Sequence, residues 1–164
     1  MKRLATITSI LSVFGLCVTY AAYLHAATVQ TTITATILTP ISISKQADLS
    51  FGDVYPDATT AGTVIVDFTG GRTFSGGTAA GSTTGSAAAF TVTGETGATY
   101  VLSIPASVNL LGPGSDMVVT LNDNAAGDLT LGSDTFNIGG TLNVGVNQNT
   151  GAYSATFNVV VNYN

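Results

Sequence analysis

From Gly151 to Asn164 apolar and polar residues alternate without interruption. Tyr153, Ala155, Phe157, Val159, Val161 and Tyr163 fall on one face, and Ser154, Thr156, Asn158, Val160 and Asn162 on the other. Side chains of an extended chain point to opposite sides in turn, so the period predicts a strand over the whole segment. A second alternating stretch runs from Thr28 to Ser44, with Val29, Thr31, Ile33, Ala35, Ile37, Thr39, Ile41 and Ile43 on one face. Pro40 has no N–H to give to a ladder and divides that run, leaving a leading strand over 28–38 and a first domain strand over 41–44.

Between these two segments the signals are shorter. Leu49 to Val54 reads as a strand that breaks at Gly52, followed by a polar connection through Pro56, Asp57 and Thr59. Thr63 to Phe68 predicts a strand with Val64, Val66 and Phe68 inward and Asp67 on a wet face. Residues 69–89 are nearly all Gly, Ser, Thr and Ala, which predicts a short strand at Arg72 to Phe74 and a mobile loop after it. Ala88, Phe90 and Val92, then Tyr100, Leu102 and Ile104, flank Glu95-Thr96-Gly97 and predict a hairpin. Met117 to Leu121, a short Asp128 to Leu131, and Phe136 to Val144 broken at Gly139-Gly140 complete the series, with a polar turn at Asn147 to Thr150. No segment after the first 26 residues has a helical period, and strand and turn signals recur about every ten residues. The expected fold is all-β, an antiparallel sandwich.

The start of the chain has a different character. Lys2 and Arg3, then an uncharged apolar and Ser/Thr run from Leu4 to Leu24, then Ala26 and Ala27, follow the order of a secretory signal peptide over residues 1–26. The competing reading is a retained membrane anchor. Cys17 follows Phe14-Gly15-Leu16, a poor match to the small residues that precede a lipidated cysteine, and is read as part of the signal segment. The only histidine, His25, lies at the cleavage region. Removal of this segment leaves Lys45 and Arg72 against nine carboxylates, a net charge of −7. No basic face for nucleic acid can be assembled from two cations. No later apolar run approaches the roughly 20 residues that a spanning helix needs. The domain organisation expected is a signal peptide over 1–26, an extension over 27–39 and one sandwich domain over 40–164.

Candidate chemistry is thin. A serine or threonine nucleophile needs a base beside it, and beyond His25 only Lys45 offers one. Asp123 and Asp128 flank a turn, where aspartate usually binds backbone N–H groups. Asp116, Asp123, Asn124 and Asp128 could gather around calcium, but their spacing matches no compact calcium loop. Gly70-Gly71 and Gly76-Gly77 are followed by neither lysine nor helix and cradle no phosphate. The expectation is a protein without catalytic residues, metal or cofactor. What remains is the strands themselves: both long alternating segments are uncharged, whereas natural edge strands are normally charged or covered.

Two resemblances bear on this. Gly151, fourteenth from the end of the chain, the alternation that follows it and the penultimate Tyr163 resemble the C-terminal motif of fimbrial subunits assembled by the bacterial chaperone–usher route. Leu49-Ser50-Phe51-Gly52, Ala89-Phe90-Thr91-Val92-Thr93-Gly94, Ile104-Pro105, Gly139-Gly140-Thr141-Leu142 and Gly151-Ala152-Tyr153 look like the DUF4402 family of secreted bacterial proteins, over nearly all of residues 35–164. The fimbrial resemblance implies an immunoglobulin-like sandwich lacking its last strand. A groove beside Gly151, Tyr153, Ala155, Phe157, Val159, Val161 and Tyr163 would be filled first by a periplasmic chaperone and then by a neighbouring subunit. The neighbour's donor strand would carry Val29, Thr31, Ile33, Ala35 and Ile37, with Val29, Ile33 and Ile37 as plugs. An outer-membrane usher and a cell-surface fibre follow from the same resemblance. The chain departs from many fimbrial subunits in lacking a disulfide. Two alternatives stay open: a self-contained extracellular binding or adhesin domain whose leading strand folds onto its own sheet, and a small outer-membrane barrel, which the absence of tryptophan and of aromatic girdles disfavours.

Overall fold

The computed structural model describes residues 26–164. The expected signal segment lies outside the described residues, apart from Ala26. The chain divides into two units, one ending at Thr36 and the other running from Ile37 to Asn164. Residues 26–40 carry no strand assignment, and each of them is exposed.

The second unit is all-β. Its strands are β1 (Ser42–Ala47), β2 (Val54–Pro56), β3 (Gly62–Val66), β4 (Arg72–Gly76), β5 (Thr78–Ala80), β6 (Ala88–Thr93), β7 (Tyr100–Ser103), β8 (Ser107–Leu110), β9 (Met117–Asp123), β10 (Ser133–Val144) and β11 (Val160–Tyr163). Every pairing is antiparallel. Seven strands form one curled sheet in the order β1-β6-β10-β3-β4, with β9 on the other edge of β10 and β8 beside β9. Two small sheets, β7 with β11 and β2 with β5, complete an antiparallel β-sandwich.

The spine is β10. Its first half, Ser133 to Ile138, pairs with β6, and its second half, Gly140 to Val144, pairs with β3. Gly139-Gly140 sits where the partner changes. A Cβ on Gly139 would lie 2.5 Å from the carbonyl oxygen of Val66, and one on Gly140 would lie 3.0 Å from that of Thr120. These glycines therefore do not break the strand as expected; they let the backbones of β3 and β9 approach it from either side, and β10 runs unbroken for 12 residues.

Other expectations need correction for similar reasons. The predicted hairpin around Glu95-Thr96-Gly97 does not form. Both edges of β6 are taken, by β1 and β10, so β7 leaves for β11. The predicted mobile loop after Arg72 to Phe74 contains β5, whose register on β2 is Val54↔Ala80 and Pro56↔Thr78. Asp128 to Leu131 is not a strand but a single bridge, Thr99↔Asp128, followed by a turn. Asp67 lies just past β3 in a turn, where its carboxylate accepts N–H groups from Thr69 and Gly71. The break at Gly52 is present, with a positive φ of 64° and the strand resuming at Val54.

The core is lopsided. Twelve of its fourteen buried apolar residues come from β3, β6, β9 and β10 of the large sheet, among them Val64, Val92, Phe136 and Ile138; only Tyr100 and Leu129 come from elsewhere. Phe90 and Phe136 stack at 5.4 Å between ring centroids, which ties β6 to β10. The opposing layer, including Leu102, Ile104, Tyr153, Phe157, Val159 and Val161, packs against this core but stays half-buried. One side of the sandwich is therefore incompletely covered.

Candidate functional site

The segment Gly151–Asn164, expected to be a strand throughout, pairs at its two ends only. Ser154 bridges Leu111, and β11 begins at Val160 with the register Val160↔Ser103 to Tyr163↔Tyr100. Ala155 to Val159, in the middle, has no ladder or bridge partner. The alternation is nevertheless kept: Tyr153, Phe157, Val159, Val161 and Tyr163 are half-buried, and their odd-numbered companion Ala155 is exposed. The inward side chains hold the segment against the core while its backbone groups at 155–159 are left without a strand.

Beside this segment lies a groove with an apolar floor and mixed walls. A cavity of about 430 Å³ is bounded on one side by Ile43, Lys45 and Leu49, on the other by Ala155 to Val159, and floored by Ala88 and Phe90. A second cavity, of about 470 Å³, continues it past the shared Leu49 and is lined by Phe51, Val54, Leu110, Met117, Leu142, Val144 and Gly151 to Tyr153. The wall opposite Ala155–Val159 is β1, which pairs with β6 and, among the described residues, has no strand on its other edge. Two unpaired backbone edges thus face a common apolar floor. The rim carries one ion pair, Lys45 Nζ to Asp48 Oδ1 at 2.6 Å, with both side chains well exposed, an arrangement that contributes about 0 to 1 kcal/mol.

The lower end of the segment is fixed by its aromatic residue. The Tyr153 hydroxyl donates to the Asn149 carbonyl at 3.0 Å and accepts from Gln148 Nε2 at 2.8 Å. Its ring lies against Gly112, where a Cβ would stand 2.4 Å from it. Gly151 has a φ of 141°, and a Cβ there would meet Pro113 Cγ at 2.6 Å, so the motif opens on a residue that only glycine fills comfortably.

At the other end Tyr163 is similarly anchored. Its hydroxyl donates to the Thr39 carbonyl at 2.7 Å and accepts the Glu95 N–H at 2.6 Å. Glu95 in turn accepts the Thr39 N–H at 2.8 Å, which holds its carboxyl below the usual glutamate range.

The proposed donor residues lie in the exposed stretch. Val29, Ile33 and Ile37 are 93%, 91% and 95% exposed, and Thr31 and Ala35 are exposed as well.

Two of the aspartates considered for calcium, Asp123 and Asp128, serve turns. Asp123 Oδ1 accepts the Ala125 N–H at 3.1 Å, and Asn124 Oδ1 accepts the Asn137 N–H at 2.7 Å. Asp128 Oδ1 accepts both the N–H and the hydroxyl of Thr130, and the hydroxyl bond above all lowers its pKa. Asp57 with Thr59 and Asp67 with Thr69 repeat that Asp-x-Thr turn. At Asp123 and Asp128 this is the turn role expected from the sequence, and Asp57 and Asp67 show the same Asp-x-Thr spacing there. Glu95 and Gly94, by contrast, carry no sequence signal that ties them to Tyr163, 68 positions from Glu95.

Residues 41–163 match a family described as "Domain of unknown function (DUF4402)". Neither a curated protein nor a solved structure matches the chain.

Proposed function

The chain belongs to the DUF4402 family, and we propose that it is a structural subunit of a surface fimbria, polymerising by donation of its leading segment, residues 28–38, into the groove of a second copy. One observation carries this reading: Ala155 to Val159 and the outer edge of β1 face each other across an apolar floor, both without a strand partner. An inserted strand would satisfy backbone groups on either side and place alternate side chains on Phe90 and its neighbours. Strand addition draws affinity from main-chain bonds and register from side-chain pockets.

The occupant follows from the rest of the chain. Residues 28–38 are uncharged, and Val29, Ile33 and Ile37 are exposed in the structure. Eleven extended residues reach about 36 Å, longer than the ten from Ser154 to Tyr163 that border the groove and pair above it. Full burial of each plug stabilises by about 1.5 to 3 kcal/mol. In this reading a periplasmic chaperone covers the same groove in transit, an outer-membrane usher receives the subunit, and the product is a fibre on the cell surface.

Fusing a second copy of residues 28–38 after Asn164 through a short Gly/Asn turn tests it. The fused protein should be monomeric and melt well above the unfused one, which should polymerise or aggregate. If the unfused protein is already a monomer with the same melting temperature, the reading fails. If deleting residues 27–38 destabilises that monomer, the segment serves its own domain, as in a self-contained adhesin.

A further inference from the structure

Thr39 stands between the leading segment and the domain, and its peptide groups are gripped from both sides. Its N–H donates to Glu95 Oε2 at 2.8 Å, and its carbonyl accepts the Tyr163 hydroxyl at 2.7 Å. The same hydroxyl accepts the N–H of Glu95 at 2.6 Å, which closes a ring through three residues far apart in the chain. Gly94 makes room for it, because a Cβ there would lie 2.2 Å from the hydroxyl and 2.9 Å from Leu129 Cδ1. Leu129 is fully buried and cannot yield. Pro40 follows at once, fixing its own φ and holding Thr39 extended. The ring therefore fixes the Thr39 backbone, at the root of the leading segment.

Tyr163 belongs to β11, a strand of only four residues that begins immediately after Val159 of the groove wall. β11 is continuous with Ala155 to Val159, five residues that have no ladder or bridge partner among the described residues. A strand paired along Ala155 to Val159 would extend the ordered backbone up to β11 and steady the phenol at its end.

We infer, building on the groove reading above, that the Thr39–Glu95–Tyr163 ring couples occupancy of a subunit's groove to the root of that subunit's own leading segment. A filled groove holds Tyr163, and Tyr163 and Glu95 then hold Thr39, the root of the leading segment. An empty groove leaves the root looser. Growth is then ordered, since a subunit that has received a strand is the one best prepared to donate.

Amide hydrogen exchange of the secreted protein, with and without a synthetic peptide of residues 28–38, tests the coupling. The peptide should slow exchange at Ala155 to Val159 and also at Thr39, each on the order of tenfold, as expected when a local opening is suppressed. In Tyr163→Phe the slowing at 155–159 should persist and that at Thr39 should vanish. Glu95→Gln, which keeps an acceptor oxygen, should respond like the wild type, and Glu95→Ala should not. Slowing at 155–159 with no change at Thr39 in the wild type, or an undiminished Thr39 response in Tyr163→Phe, overturns the coupling and leaves the groove reading standing. No slowing at 155–159 overturns both.

Discussion

Asp67 shows how single residues set the acid stability of this domain. Its Oδ1 accepts the Thr69 hydroxyl at 2.7 Å, the Thr69 N–H at 2.8 Å and the Gly71 N–H at 2.9 Å. The hydroxyl of Thr69 foremost, and then the backbone donors, lower its pKa from the ordinary 3.8. Asp53, through the Thr83 and Ser82 hydroxyls, and Asp57, through the Thr59 N–H, are lowered in the same way. A carboxylate with a depressed folded pKa binds its proton later in the folded than in the unfolded state. Its contribution is present above the unfolded value and is lost as pH falls through the folded one. Stability should therefore hold from neutrality to about pH 4.5, the ordinary value for Glu95, and decline below it. Urea unfolding against pH should show this, and Asp67→Asn should make the decline shallower. A decline that starts near neutrality, or an unchanged slope in Asp67→Asn, would count against the assignment. Tyr100 takes no part, because burial and its bond to Asp134 Oδ2 at 2.6 Å push its pKa far up and keep the phenol protonated. At Gly94 the prediction is steric: Gly94→Ala must displace the Tyr163 hydroxyl or Leu129 and should cost roughly 1 to 3 kcal/mol in chemical denaturation. These roles were unevenly legible. An Asp two residues before a Thr is a local device that a sequence displays, whereas the tie between Glu95 and Tyr163 is made by the fold.

Among the elements, the same divide appears between side-chain period and backbone pairing. Alternation identified the inward residues of β3 and β6, and burial bears it out at Val64, Val66, Ala88, Phe90 and Val92, while in the final segment Tyr153, Phe157, Val159, Val161 and Tyr163 are half-buried and Ala155 is exposed. It could not say which strand pairs with which. Phe90 and Tyr100 look like two sides of one hairpin in sequence, yet β6 is enclosed by β1 and β10 and β7 is left to β11. The Gly139-Gly140 pair reads as a break because glycine weakens strands in general, and only the approach of the Val66 and Thr120 carbonyls gives it the opposite meaning. Gly139→Val should accordingly destabilise by more than its higher strand propensity would add, by about 1 to 3 kcal/mol, measurable as a loss of several degrees in melting temperature. An unchanged or raised melting temperature would show that the pairing switch in β10 does not need this contact. In the groove wall, Phe157→Asp and Val159→Asp place a charge on the half-buried face and should abolish fibres on cells viewed by electron microscopy. Normal fibres from either variant would contradict the role given to that wall.

At the scale of the molecule, the lopsided core and the open groove are one feature. The large sheet supplies a buried face, and the opposing layer stops short of covering it between β1 and Ala155 to Val159. The uncharged, exposed leading segment is the occupant proposed for that gap. Its uncharged alternation was readable from the sequence, but the strand expected over 28–38 does not form within the chain, because nothing pairs with it there; the gap itself was not readable, because it is defined by strands that fail to meet. Cysteine cross-linking tests the account most directly. In a Cys17→Ser background, one cysteine replaces Thr32, Thr34 or Thr36 on the solvent side of the leading segment, and a second replaces Thr156 or Asn158 on the solvent side of the groove wall. Residues facing each other on adjacent strands have Cβ atoms about 4.5 to 5.5 Å apart, close enough for a disulfide in at least one pairing. Non-reducing electrophoresis of the secreted protein should then show a ladder of covalent dimers, trimers and longer chains that reduction collapses. Cross-links found only within single chains, or in none of the pairings, would contradict strand exchange between copies.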